Sequence, residues 1–275
     1  MTSKRVKDCL QRLDHLFHDR NYRNTQRCFP VEGIRNVIAA AESSYEFDLL
    51  LYSSRLLRSS AGRAIVDQCR RSGTPVVTVS PEQFRSIATM KRASGLSAIV
   101  RQQTGRLSSF VPLATDCLVG LSRIQSAGNL GALVRTAAAF RAKGFVLIGQ
   151  SIDPTDPFIV RASMGAFFRQ HFLRCTWPEF AAWKQQHRTS VVGACPSGER
   201  IRSDTEWARP TVLMLGDERK GLSSRQRKHC DRLVRIPMAD DSDSLNLAVA
   251  GSILLYDMMA NRRMFAKRAS QSRTE

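Results

Sequence analysis

Short β-forming runs recur along this chain with helical stretches between them, and that alternation constrains the fold more than any other feature. In the second half the runs are Asp116–Leu121, Phe145–Ile148, Ser190–Ala194, Thr211–Leu215 and Leu233–Ile236. A helix is predicted over Asn129–Ala142, and a long one from about Ser244 to Arg262. Strands buried on both faces read as nearly continuous apolar runs rather than as alternation. Such runs interleaved with helices predict an α/β fold whose parallel sheet is covered on both faces.

The first half repeats the pattern on a smaller scale. Helices are predicted at Arg5–His18, Glu32–Ala41 and Ala61–Arg71, with a polar turn rich in Arg and Asn after the first. Strands are predicted at Phe47–Tyr52, Pro75–Val79 and Ser97–Arg101, and Pro81 opens a short helix, a position proline favours. Gln102–Ser109 is polar, has one glycine and lacks apolar periodicity, which places a domain boundary there. The expected organisation is a smaller α/β domain over residues 1–105 with a basic N-terminal extension. A second domain covers 113–275 and ends in a basic tail, Asn261–Glu275.

Charge narrows the partner class. Lys and Arg number 42 against 24 acidic residues, a formal +18. The excess is not a tail: residues 1–105 hold 17 basic and 9 acidic side chains, and residues 106–275 hold 25 and 15. Solubility charge alone is the bland explanation, but small domains manage with magnitudes of roughly 2–8. A positive surface spread over both domains suits a polyanion, so nucleic acid is the expected partner. No run reaches about 18 uninterrupted apolar residues, so no membrane span is expected. Seven scattered cysteines without a C-x-x-C pair point to reduced thiols and a cytoplasmic setting. His15 and His18 lie three apart on the first helix without further ligands, so no metal is expected.

Three polar clusters stand at predicted strand ends, where open parallel sheets bind ligands. The first, Ser126-Ala-Gly-Asn-Leu-Gly-Ala-Leu-Val-Arg135, lets Asn129 cap a helix, Gly131 allow close approach and Arg135 lie six residues on. The second, Gly216-Asp-Glu-Arg-Lys-Gly221-Leu-Ser, brackets a charged turn with glycines and leaves backbone groups free for a ligand beside Glu218. The third runs from Ile236-Pro-Met238 through an acidic stretch to Ser244-Leu-Asn246, where Ser244 caps the final helix. Capping or turn chemistry explains each of the first two alone, whereas in the third capping by Ser244 leaves Asn246, on the first turn, unexplained.

Together, in this order and spacing, they resemble the SpoU/TrmH family of the SPOUT superfamily. Asn129, Gly131, Arg135, Thr136 and Ala137 match its N-x-G-x-x-x-R-T-A motif. Gly216, Glu218, Gly221 and Leu222 match G-x-E-x-x-G-L, and Ile236-Pro-Met238 with Ser244-Leu-Asn246 match the third. Arg161-Ala-Ser-Met-Gly-Ala-Phe-Phe is similar to the stretch before the family's central strand. Over residues 20–105 a weaker likeness, carried by Phe29-Pro-Val-Glu-Gly33 and Ser94-Gly-Leu-Ser-Ala-Ile-Val100, points to the accessory substrate-binding domain. Departures are Leu247-Ala-Val-Ala250 where V-S-V-A is usual, and Arg141 in place of a glycine.

The resemblance implies a trefoil-knotted SPOUT sheet and S-adenosylmethionine-dependent methylation of a ribose 2′-oxygen in RNA. It implies ribosomal RNA before transfer RNA, because members acting on transfer RNA often lack the accessory domain, and a homodimer packed through the knot. Leu215, Gly216, Ile236, Met238, Leu245 and Asn246 would hold the cofactor. Arg135 would stabilise the developing oxyanion, with Asn129, Glu218, Ser244 and Asn246 orienting it, the ribose and the cofactor. Arg161, Arg219 and Lys220, with Arg135, would meet RNA. A guanidinium surrenders its proton only with great difficulty, which favours electrostatic stabilisation over general-base action. A non-catalytic RNA-binding or ribosome-assembly factor on the same scaffold is the alternative. A nucleotide-dependent oxidoreductase is set aside, because G-x-G-x-x-G and its downstream acidic residue are missing.

Overall fold

The computed structural model describes residues 3–201, 207, 210–239 and 244–271, with side chains from 4 to 261. The chain forms two compact units, one from Met1–Gln103 with Asp153–Arg169, the other from Thr104–Ile152 with Gln170–Glu275.

The first unit opens with α1 (Ser3–His18) and α2 (Arg20–Gln26), then β1 (Cys28–Glu32), α3 (Ile34–Ala41), β2 (Phe47–Tyr52), α4 (Ser60–Arg71), β3 (Val76–Thr78), α5 (Pro81–Ile87) and β4 (Leu96–Arg101). Its sheet order is β1-β4-β2-β3. β4 is antiparallel to both neighbours and only β2 and β3 run parallel, so this sheet is mixed. Leu13, Leu16 and Phe17 form a helical stripe on α1 and close a core with Leu49, Leu51, Val77, Phe84 and Ile99.

Two readings of this half are corrected. The polar turn is α2, begun by Asp19, whose carboxylate accepts from the N–H groups of Asn21 and Tyr22. Glu32 ends a strand rather than starting a helix; β1 is fully buried, and Pro30 and Glu32 in it masked its β character.

The second unit is a seven-stranded sheet in which every pairing is parallel. Its elements are β5 (Gly105–Arg106), β6 (Cys117–Leu121), α6 (Ala127–Ala139) and β7 (Gly144–Ile148). After α7 (Pro157–Ala162), which belongs to the first unit, come β8 (His171–Cys175), α8 (Trp177–Gln186), β9 (Ser190–Arg200), β10 (Thr211–Leu215), α9 (Ser224–His229), β11 (Arg232–Arg235) and α10 (Leu247–Gln271). The strand order is β11-β9-β10-β6-β7-β8-β5. Leu118, Val146, Leu173, Val191, Val212 and Met214 interleave beneath Phe180 and Trp183 of α8. Capping boxes set two of the helices, Thr176 with Glu179 on α8 and Ser223 with Gln226 on α9.

The final helix starts three residues later than Ser244 and reaches Gln271, so most of the expected tail is helical backbone. Residues 272–275 of that tail and 240–243 of the acidic stretch lie outside the described residues. Among the described residues no helix is long and apolar enough to cross a membrane. All seven cysteines are free thiols.

Candidate functional site

β6 and β10 lie side by side, and the strand order reverses between them: β7 and β8 continue to one side, β9 to the other. Loops leaving the carboxyl ends of two strands at such a reversal diverge and open a crevice. The first two clusters are those loops, and the third returns from β11 into α10.

Between β6 and α6, Ser126 caps the helix by accepting the N–H of Asn129 at 3.2 Å. Asn129 is therefore not the cap; it lies one turn inside, and its carboxamide is free for other work. Beyond β10 the loop closes on itself. Asp217 and Gly221 exchange backbone hydrogen bonds at 2.9 Å each, and Asp217 Oδ1 takes the N–H groups of Arg219 and Lys220. Those two N–H bonds, with Gln125 and Arg123 alongside, hold the Asp217 carboxyl below the usual range. Of the backbone donors expected to be free for a ligand, those of Asp217, Arg219, Lys220 and Gly221 are used internally. Gly216 is required sterically, because a Cβ there would run into the backbone of Gly221.

The closed loop aims Glu218 at α6. Its carboxylate accepts the N–H of Gln125 at 3.0 and 3.1 Å and of Ser126 at 3.1 Å, with Asn129 Nδ2 at 3.5 Å. An anion at the positive end of a helix is favourable. Asn129 Oδ1 in turn accepts from Asn246 Nδ2 at 3.0 Å, and Asn246 Oδ1 accepts the N–H groups of Ala248 and Val249 at 2.9 and 3.3 Å. Asn246, not Ser244, caps α10. The polarity of this chain is dictated at both ends: a carboxylate only accepts and a helix N-terminus only donates, so each carboxamide has one permitted orientation.

Below the link α6 and α10 run parallel. Thr136 and Ser252 hydroxyls bond at 2.9 Å, and Gly251 admits Leu133 and Leu215 so closely that a Cβ would overlap both. Arg135 is exposed on the same helix, about 9 Å along the axis from Asn129. Among the described residues it has no hydrogen-bond or ion-pair partner. Arg219 and Lys220 are exposed at the loop tip, whereas Arg161 lies in the first unit, where it donates to Thr89.

Of the residues expected around the cofactor, Gly216 is buried, Ile236 half-buried, and Met238 and Leu245 are 36% and 37% exposed. Leu215 is 1% exposed beneath Gly251, with its carbonyl taken by Gln226 Nε2 at 3.0 Å, so its side chain is core rather than pocket wall. The glycine floor and exposed aliphatic side chains fit an adenosine-bearing group, which needs apolar faces and few polar contacts. Ser244 is exposed, and no hydrogen bond between described residues involves it. Sequence reasoning missed Asp217, the organiser of the loop, and Gln125 and Ser126, the partners of Glu218. An Asp two and three residues before the N–H groups it accepts was the available signal for the first. Among the described residues no cluster of His, Cys, Asp or Glu could hold a metal ion.

Residues 116–256 match the SpoU rRNA Methylase family, and residues 9–98 match the MRM3-like substrate binding domain. The chain is 30% identical over 260 residues to the 23S rRNA (uridine(2479)-2′-O)-methyltransferase of Streptomyces viridochromogenes, covering 92% of this chain and 89% of that relative. The solved structure of the SpoU methyltransferase AviRb from the same organism, in complex with AdoMet, superposes with a TM-score of 0.84 at 28% identity, over 95% of this chain and 98% of that one. An AdoMet-bound rRNA methyltransferase from Sinorhizobium meliloti gives 0.81 at 28% identity over 91% and 93%. The motifs and the parallel sheet agree with these matches, and the chain belongs to the SpoU rRNA methylase family.

Proposed function

We propose that this chain transfers a methyl group from S-adenosylmethionine to a ribose 2′-oxygen of ribosomal RNA. The observation that carries the reading is the continuous link Glu218–Asn129–Asn246, which ties three strand-end loops together beside an unpaired, exposed Arg135. S-adenosylmethionine, held by Gly216, Ile236, Met238, Leu245 and Asn246, would supply a sulfonium-bound methyl with a neutral thioether as the leaving group. Arg135 binds the 2′-oxygen or its adjoining phosphate and stabilises negative charge as the hydroxyl loses its proton to water. Glu218, Asn129 and Asn246 keep the α6 and α10 N-termini fixed, so that Arg135 and the ribose meet in line.

Residues 1–105, with Asp153–Arg169 of the same unit, grip RNA and the rest of 113–275 carries the chemistry, with Arg219 and Lys220 touching phosphate. The substrate-binding match and the basic excess over both halves support ribosomal RNA as the substrate class. The knot of the family and a homodimer belong to the same reading. Val249 and Tyr256, 47% and 56% exposed on α10, offer an apolar face to a second copy. Free thiols and an RNA substrate support a cytoplasmic setting. Incubation of the purified protein with methyl-labelled S-adenosylmethionine and separate ribosomal and transfer RNA transcripts tests it. Alkali-resistant label in ribosomal RNA is expected. Label confined to transfer RNA overturns the substrate class, and cofactor binding without any label overturns the activity.

A further inference from the structure

Of the twelve described phenylalanines only Phe158 is exposed, at 54%. It stands on α7 in the Asp153–Arg169 segment of the first unit. That segment is firmly held. Arg23, 4% exposed, donates to Asp153 at 2.8 Å, Gln102 donates to Thr155 at 3.2 Å, and Phe167 and Phe168 pack against Phe29 and Tyr45. Phe158 is thus an aromatic ring held in solvent on a rigid support.

The ring is also aligned. The Arg161 guanidinium lies over it, 4.8 Å from the centroid. Arg161 Nη1 donates to the carbonyl and hydroxyl of Thr89, each at 3.3 Å. Thr89 is fixed in turn by Glu32, whose Oε2 accepts its N–H at 2.9 Å and its hydroxyl at 2.6 Å. Glu32 is 5% exposed and its other oxygen, Oε1, is buried without a partner. A buried carboxylate therefore sets a surface arginine and ring through one threonine. The next residues, Met90-Lys91-Arg92, put two exposed cations on the same loop, and Met90 faces Gly33. Asp156, the nearby acid, caps α7 by accepting the Phe158 N–H.

We propose that Phe158 and Arg161 form a stacking platform for an unpaired base of the RNA substrate, with Lys91 and Arg92 meeting the adjoining phosphates. This rests on the reading above that the substrate is RNA. Guanidinium planes and aromatic rings are the surfaces on which splayed bases stack, and the cations suit a phosphate backbone rather than another basic protein surface. A duplex offers no free base face, so the platform selects single-stranded or bulged RNA.

The test uses the full chain and a single-stranded RNA of about 12 nucleotides, matching the span of typical single-strand sites, carrying one 5-iodouridine, with the same strand in a duplex for comparison. Irradiation is expected to cross-link the single strand to Phe158, mapped by mass spectrometry, and the duplex more weakly. Phe158→Ala should bind the single strand about 5- to 100-fold less tightly, the range for losing one base stack, and Phe158→Trp should restore binding. A thermal melt with the wild-type transition shows that Phe158→Ala is folded. Unchanged affinity of Phe158→Ala, or cross-links only elsewhere, overturns the platform. An acidic peptide that displaces the RNA and binds more tightly than it does also overturns it, in favour of a protein partner. Methyl transfer by the wild type is scored separately, so failure of the activity and failure of the platform are distinguishable.

Discussion

The carboxamide of Asn246 serves two helices at once: its Nδ2 donates to Asn129 Oδ1 at 3.0 Å while its Oδ1 caps α10. The two jobs separate by substitution. Asn246→Asp keeps a good cap but replaces the donor with an acceptor facing Asn129 Oδ1. Methyl transfer should fall by about 5- to 100-fold, the range for an unmade hydrogen bond, with little loss in melting temperature. Asn246→Ala should also lose about 1 kcal/mol of stability as its cap disappears. Thermal melts beside initial methylation rates check both, and equal rates in Asn246→Asp and wild type would refute the link.

Glu218 holds the start of α6. Glu218→Gln turns one acceptor oxygen into a donor facing the N–H of Gln125 or Ser126. Amide hydrogen exchange at Gln125 and Ser126 should accelerate, and kcat should drop more than the KM for RNA rises. If exchange there stays at the wild-type rate, the carboxylate is not what fixes the helix start.

Arg135 has the opposite character, with no described partner to disturb. Arg135→Ala should leave the fold and the calorimetric affinity for S-adenosylmethionine close to wild type while lowering kcat by about 10²–10³. Arg135→Lys keeps the charge but not the planar fork, and is expected between the two. Methylation by Arg135→Ala at the wild-type rate would remove the arginine from the reaction.

The parallel sheet was legible because its strands are apolar throughout; Thr211–Leu215 has the same bounds in sequence and structure. β1 was hidden because Pro30 and Glu32 interrupt it, yet β4 pairs along its whole length. In the site, residue identities were legible and their partners were not. Ser126 and Asn129, or Ser244 and Asn246, are equally good caps by type, and only the packing of α6 on α10 through Gly251 decides between them. The closure of Asp217 on Gly221 depends on a bridge four residues apart that no periodicity announces.

Asp257 gives a pH test independent of catalysis. Its carboxylate accepts Trp207 Nε1 at 2.8 Å and Asn261 Nδ2 at 3.1 Å, and among the described residues no cation pairs with it. Burial raises its pKa above the ordinary 3.8, against the lowering effect of those two bonds. The folded state then holds a proton that the unfolded chain has released, so stability falls as pH rises from the ordinary aspartate range through the raised value. Asp257→Asn removes the titration while its carbonyl oxygen still accepts both donors. The variant should match or exceed the wild type at about pH 7 and lose that advantage at about pH 2.5, below the ordinary aspartate range, where both side chains are neutral in the folded and unfolded states. Urea unfolding at the two pH values checks this. A variant less stable than wild type at neutral pH would mean that the ionised carboxylate holds Trp207 better than burial penalises it.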